Sequence, residues 1–296
     1  MPRKHNKFGI LKTRGFVKRT KKGEILQAPT KGLKRTELSI IQGHNKGDRE
    51  RGGEKSAEPT KDKSKEKRRP VPQPRGATRG VLPEQPSASM YVGLSKSGKS
   101  TLLKDTLTDP NLLGNYFHTI VMLSPTSDCD STITAALKLP DENIITNFTE
   151  DTLKDIIEGQ RKLIKKKGYN WVAKHNRTAM IFDDCIAKRK FLKSKTMLDL
   201  VATVRHLLIS VFFLIQSYRM VPRSARINMR GIAFFESNRS ETDVLLDEEG
   251  PAFLSKKEFR EVIHHATEEK YSFLFINKDL PSKKRYMKKY TDRFVF

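Results

Sequence analysis

The chain has 296 residues, with 58 Lys and Arg against 34 Asp and Glu, a formal net charge of +24 and a pI near 10.0. Hydrophobic residues make up 36% and the mean hydropathy is -0.60, which excludes a uniform globule of this length. No apolar run approaches the ~18 residues of a membrane span, the N-terminus has no secretory core, and 2 isolated Cys exclude a disulfide framework or a Cys-only zinc site. The composition therefore reads as soluble, intracellular and strongly basic.

Charge is concentrated at the front. Residues 1–86 hold 24 of the 58 basic side chains and only 9 of the 34 acids. Between Gly43 and Gln85 hardly any residue is apolar, so this stretch cannot bury enough surface to offset chain entropy and reads as a disordered linker. Ahead of it, Ile10, Leu11, Phe16, Val17, Ile25, Leu26, Leu38, Ile40 and Ile41 could support a short docking element. The basic arm suits counterion-releasing attachment to nucleic acid, and Lys65–Pro70 (KEKRRP) suits a nuclear-localisation patch. A merely solubilising arm has the same composition, so the arm alone settles no function.

From Ser87 the pattern changes to short apolar runs separated by amphipathic stretches. Strands are expected at Met90–Val92, His118–Ser124, Thr178–Phe182, Ser210–Ile215, Gly231–Phe235 and Tyr271–Ile276. They are continuous apolar runs, as in parallel strands buried on both faces. Thr149 is placed to cap a helix with Leu153, Ile156, Ile157, Gln160, Leu163 and Ile164 inward, closing on Lys165–Lys167 before Gly168. Ser255 and Glu258 have capping-box spacing ahead of Phe259, Val262, Ile263 and Ala266. Alternating strands and helices predict a doubly wound α/β domain over 87–296, preceded by the basic region 1–86.

Gly93-Leu94-Ser95-Lys96-Ser97-Gly98-Lys99-Ser100 fits G-x-x-x-x-G-K-[ST] between an expected strand and an expected helix. Glycines at both ends let successive N–H groups converge on one anion, Lys99 reaches β- and γ-phosphates, and Ser100 supplies a hydroxyl for magnesium. The helix beginning near Gly98 aims its positive end at the phosphates. A second apolar run ends in Asp183 and Asp184: Asp183 is placed to hold magnesium, and Asp184 to orient or deprotonate the attacking water. A third, Arg205–Pro222, emerges into Gln216, whose amide can contact both a γ-phosphate oxygen and that water. Arg205, Arg219, Arg223, Arg226 and Arg230 surround it as candidates for an arginine finger, in cis or from a neighbouring subunit, or as solvated or DNA-facing arginines.

The combination GLSKSGKST, IFDDC and RHLLISVFFLIQSYRMVPRSARINMRGIAFF resembles the virion DNA-packaging ATPases of poxviruses and other large DNA viruses. Similar proteins occur in virophages and Maverick/Polinton elements, within the FtsK–HerA branch of P-loop ATPases. The likeness covers about residues 87–280. It implies a P-loop NTPase (ASCE/RecA-like) sheet of order 5-1-4-3-2, with the P-loop strand between the sensor strand and an edge strand. It makes Gly93, Leu94, Ser95, Lys96, Ser97, Gly98, Lys99, Ser100 and Thr101 nucleotide-binding, Asp183 with Ser100 the magnesium ligands, Asp184 the catalytic acid and Gln216 the sensor. It puts Arg226, paired with Asn228, first as a γ-phosphate contact and Arg205 second. Relatives often carry Thr where Ile215 precedes the sensor here.

The resemblance further implies ATP and Mg2+ as cofactors, a ring homo-oligomer (commonly hexameric) around double-stranded DNA, and a capsid or portal/vertex protein as partner. It implies a place at the virion assembly site of an infected cell, nuclear or in a cytoplasmic factory, and an ATP-driven motor moving DNA into a preformed capsid. Lys188–Lys195 (KRKFLKSK) is a candidate DNA-gripping loop or, equally, a solvated basic loop. A helicase, another P-loop NTPase or kinase, and a basic DNA-binding scaffold with a structural ATP site remain as alternatives.

Overall fold

The computed structural model describes residues 9–12, 67–125 and 132–296. Most of the N-terminal arm, including the apolar residues from Phe16 to Ile41, most of the expected linker and Cys129, lies outside these residues. The described strands are β1 (Gly9–Lys12), β2 (Ala88–Val92), β3 (Thr119–Leu123), β4 (Ile144–Ile145), β5 (Thr178–Asp183), β6 (Ile209–Ile215), β7 (Met229–Phe235), β8 (Phe273–Asn277), β9 (Tyr286–Lys288) and β10 (Asp292–Val295). They form one 10-stranded sheet of order β1-β10-β9-β8-β7-β2-β6-β5-β3-β4.

The stretch from β7 to β4 is parallel throughout, and its central part, β7-β2-β6-β5-β3, is the expected 5-1-4-3-2 order. One detail differs. The fifth strand is no edge, because β8 pairs with β7 antiparallel, β9 and β10 continue outward, and β1 pairs with β10 from Gly9↔Val295 to Lys12↔Asp292. β9 and β10 are short and carry Lys288, Asp292 and Arg293, so no continuous apolar run marks them in the sequence.

Both faces of the central strands are covered, which explains their unbroken apolar composition. One face holds Met90, Val92, Phe213, Ile215 and Phe234 against helices Glu150–Lys167, Lys195–Leu207, Arg239–Glu249 and Lys256–Thr267. The other holds Tyr91, Phe212, Leu214 and Phe235 against Leu103 and Leu107 of helix Lys99–Thr108. Both expected N-caps form: Ser255 and Glu258 make the expected capping box, and Thr149 caps its helix in a box completed by Thr152, a partner the spacing reading did not name.

Residues 67–86 depart from the linker reading. Val81 and Leu82 are buried in the second face of the core, and a short helix, Arg75–Thr78, buries Gly76. Arg68 stacks over Tyr169 at 4.6 Å and reaches His206 Nδ1 at 2.8 Å, while the Arg69 N–H donates to Asn170 Oδ1. Few apolar residues suffice here because the domain already offers the surface they complete.

Candidate nucleotide site

The site is assembled at the carboxyl ends of adjacent parallel strands, where loops of open α/β sheets receive ligands. Val92 pairs with Ile215, and Asp183 pairs with Leu214. Register thus brings Gly93, Gln216 and Asp183 to one edge of β2, β6 and β5. The Gly93 N–H donates to the Ile215 carbonyl at 3.1 Å, tying the start of the loop to the residue before Gln216.

The loop closes tightly over Phe235. A side chain added at Gly93 would come within 2.7 Å of both Phe235 Cβ and Ser97 Oγ, so only glycine fits. Lys96 takes a left-handed conformation with φ 62, and Gly98, with φ 102, starts the helix Lys99–Thr108 as its N-cap. Among the described residues, the N–H groups of Lys96, Gly98, Lys99, Ser100 and Thr101 have no hydrogen-bond acceptor. Ser97 Oγ is buried and likewise without a partner. Unsatisfied donors gathered at a helix N-terminus are the chemistry of an anion cradle.

Lys99 and the acids form one electrostatic unit. Lys99 Nζ donates to the carbonyls of Gly93 and Leu94, each at 2.7 Å. Burial lowers its pKa, against the supporting charges of Asp183 and Asp184. Burial, together with the neighbouring Asp184 carboxylate, pushes Asp183 up to about 6; the Lys99 ammonium and the Asp184 N–H pull the other way. Asp184 sits in the left-handed region at φ 47, a backbone strained for a non-glycine residue between β5 and the following turn. Beside it, the Cys185 thiol is buried and pushed up to about 12, a packing group instead of a nucleophile.

A destabilised carboxylate, Asp183, within the field of Lys99, together with the Ser100 hydroxyl on the helix that follows the loop, fits magnesium. The donors are hard oxygens, and a second cation would relieve the burial of Asp183. Among the described residues no cluster of three or more His, Cys, Asp or Glu could hold a metal by itself.

Gln216 stands half-buried directly after β6, and its amide makes no hydrogen bond to the described residues. The turn behind it is held by a residue the sequence reading missed. Glu241, buried at 7% exposure, accepts from Ser217 Oγ at 2.9 Å, the Tyr218 N–H at 2.6 Å and the Arg219 N–H at 3.4 Å. Asn238 caps the same helix by accepting from the Glu241 N–H at 2.9 Å. Asn238 three residues before Glu241 is capping spacing, a signal available in the sequence. Here the acid turns away from its own helix end to grip the turn after Gln216.

Arg226, expected first as a γ-phosphate contact, is placed elsewhere. It precedes Met229, which pairs with Ala88 at the amino end of β2, about 16 Å of strand from the loop. Its neighbours Tyr218, Val221 and Ala225 pack on the sheet face opposite helix Lys99–Thr108. The guanidinium is committed to both Glu248 oxygens, donates to the Val221 carbonyl and lies 4.9 Å from the Tyr218 ring centre. A buried, fully engaged arginine at the far end cannot reach the phosphates of its own chain. Asn228 is likewise local, donating to the Ser224 carbonyl at 3.0 Å. Arg205 also belongs to the amino end, exposed in the helix that leads into β6. Arg219, by contrast, is exposed in the turn that follows Gln216.

Within the expected grip segment, Phe191 and Leu192 are buried while Arg189, Lys190, Lys193 and Lys195 are exposed. The first of these cations, Arg189, comes one short turn, Cys185–Lys188, after Asp184. No helix among the described residues is long and apolar enough to cross a membrane.

Comparison with known proteins places the chain. Several solved structures are similar to it. The DNA-packaging ATPase B204 from Sulfolobus turreted icosahedral virus is 14% identical over 65% of this chain and 93% of its own, with a TM-score of 0.47. The genome packaging NTPase B204 of Sulfolobus turreted icosahedral virus 2, in complex with ATP-gammaS, is 14% identical over 71% and 96%, with a TM-score of 0.45. The cytoplasmic domain of the type VII secretion ATPase EccC from Thermomonospora curvata is 9% identical over 71% and 23%, with a TM-score of 0.43. No curated protein matches the sequence. The family described as poxvirus A32 protein matches over residues 78–292, so that the chain belongs to that family.

Proposed function

We propose that this protein is an ATP-hydrolysing motor that moves double-stranded DNA into a preformed capsid during virion assembly. The observation that carries the hydrolase reading is the gathering of Lys99, Ser100, Asp183, Asp184 and Gln216 around one cradle of free N–H groups at the sheet's carboxyl edge. Family membership over residues 78–292 supports packaging over generic hydrolysis.

The chemistry follows from the residues. The free N–H groups from Lys96 to Thr101 take phosphate oxygens. Lys99 exchanges the Gly93 and Leu94 carbonyls for β- and γ-phosphate oxygens, a stronger, charge-assisted pairing. Ser100 and Asp183 hold magnesium, which when bound neutralises phosphate charge. Asp184 orients the attacking water and accepts its proton. Gln216 reads the γ-phosphate, and Glu241 passes its position to helix Arg239–Glu249. An arginine contacting the γ-phosphate comes either from Arg219 or from the next subunit of a ring.

DNA is held through its backbone by the exposed cations around Arg189–Lys195 and by the basic arm, a contact without sequence readout. Capsid or portal/vertex proteins are the expected docking partners, at the assembly site inside an infected cell. The reading is tested by displacement of a third strand from a triplex-bearing duplex. The motor displaces it with ATP while leaving the two duplex strands paired; separated duplex strands would mean a helicase, and no displacement would defeat the motor.

A further inference from the structure

Tyr271 is out of place by ordinary rules. It is 57% exposed, and it sits at φ 65 in the left-handed region, strained for an aromatic residue. The backbone just after it is pinned: the Ser272 N–H donates to the Glu269 carbonyl at 2.9 Å, Ser272 Oγ donates to the Ala266 carbonyl at 2.7 Å, and β8 begins at Phe273. Folding alone does not need an exposed ring there.

Its position gives it a use. A side chain added at Gly98 would lie 3.3 Å from Tyr271 Cδ1 and 3.6 Å from its Cβ, so the ring borders the phosphate cradle. The sheet order orients any ligand. β6 and β5, carrying Gln216 and Asp183, lie on one side of β2, and β7 and β8 lie on the other. A triphosphate whose γ end faces the acids therefore leaves the cradle over β7 and β8. On that side Phe235 is buried beneath the loop, its ring tilted against Phe273 with centroids 5.2 Å apart, whereas Tyr271 is exposed. Lys270 Nζ lies over one face of the ring, 4.9 Å from its centre, so a base takes the opposite face, with an exposed cation across the ring from it.

We propose that Tyr271 is the platform on which the base of the bound nucleoside triphosphate stacks, held in its strained backbone for that purpose. This rests on the reading of residues 93–101 as a triphosphate site. Stacking accepts any π-face, so the platform adds affinity for a nucleoside and none for phosphate alone.

The test compares ATP with inorganic tripolyphosphate, each with magnesium, by calorimetry on the full chain and its Tyr271→Ala and Tyr271→Phe variants. Tyr271→Ala is expected to weaken ATP about tenfold while tripolyphosphate stays unchanged, and Tyr271→Phe to bind both as the parent does. Unchanged ATP affinity in Tyr271→Ala, or equal weakening of both ligands, would overturn the platform. If the parent binds tripolyphosphate but gains nothing from the nucleoside, the platform fails and the phosphate site stands. If it binds neither ligand, the phosphate site fails, and the platform with it.

Discussion

Replacing Glu241 by Ala removes the acceptor that holds the turn behind Gln216. The Tyr218 N–H, in a buried residue, and Ser217 Oγ lose bonds of 2.6 and 2.9 Å to a carboxylate, and the Arg219 N–H loses a longer one of 3.4 Å. Hydrogen bonds to charged groups contribute about 1.5–3 kcal/mol each, and an orphaned buried donor costs about 1–3 kcal/mol. These overlap, and the carboxylate adds about 0.5 kcal/mol at the helix N-terminus. The expected loss is about 3 kcal/mol, or about 6–12 °C in melting temperature for a domain of this size. Glu241→Gln keeps an acceptor oxygen without the charge and should lose about 1 kcal/mol. Urea denaturation followed by circular dichroism measures both, and hydrolysis at saturating ATP should fall in the Gln variant while ATP affinity holds. A Glu241→Ala protein within about 0.5 kcal/mol of the parent would refute the clamp.

Lys99→Ala should abolish ATP turnover while leaving filter-retained DNA binding largely intact, because the cations proposed to hold DNA, around Arg189–Lys195 and in the basic arm, are elsewhere; joint loss would contradict that division. Asp184→Asn should bind ATP normally and slow single-turnover hydrolysis by about a hundredfold, the scale of one general base. Arg226→Ala should destabilise the fold by about 3 kcal/mol in denaturant melts, since it strands the partly buried Glu248, and should leave nucleotide affinity unchanged. A selective loss of γ-phosphate-dependent affinity would restore the role first expected of it.

The central fold was legible because parallel strands buried on both faces are written as unbroken apolar runs, and the carboxyl ends of three of them carry Gly93, Asp183 and Gln216. Residue chemistry at fixed chain spacing therefore pointed to one edge of the sheet before any pairing was known. The misses have a common cause. β9 and β10 are short and mixed in polarity, so they depend on β8 as a template instead of on their own pattern. Val81 and Leu82 supply two apolar side chains to a surface built by distant segments. The Arg226-x-Asn228 spacing is a real sequence feature, yet register places it at the amino end of the sheet, which no local pattern reveals. Glu241 and Tyr271 are single residues whose importance lies in what the fold brings beside them.

The most direct measurement is the steady-state rate of phosphate release from ATP and magnesium, with and without double-stranded DNA of mixed sequence. The proposed coupling between the cradle at Lys99 and cations that hold DNA predicts a rate that rises on adding duplex, by a similar factor for unrelated sequences, and that vanishes in Lys99→Ala. A rate unaffected by duplex, or no hydrolysis under either condition, would contradict a motor.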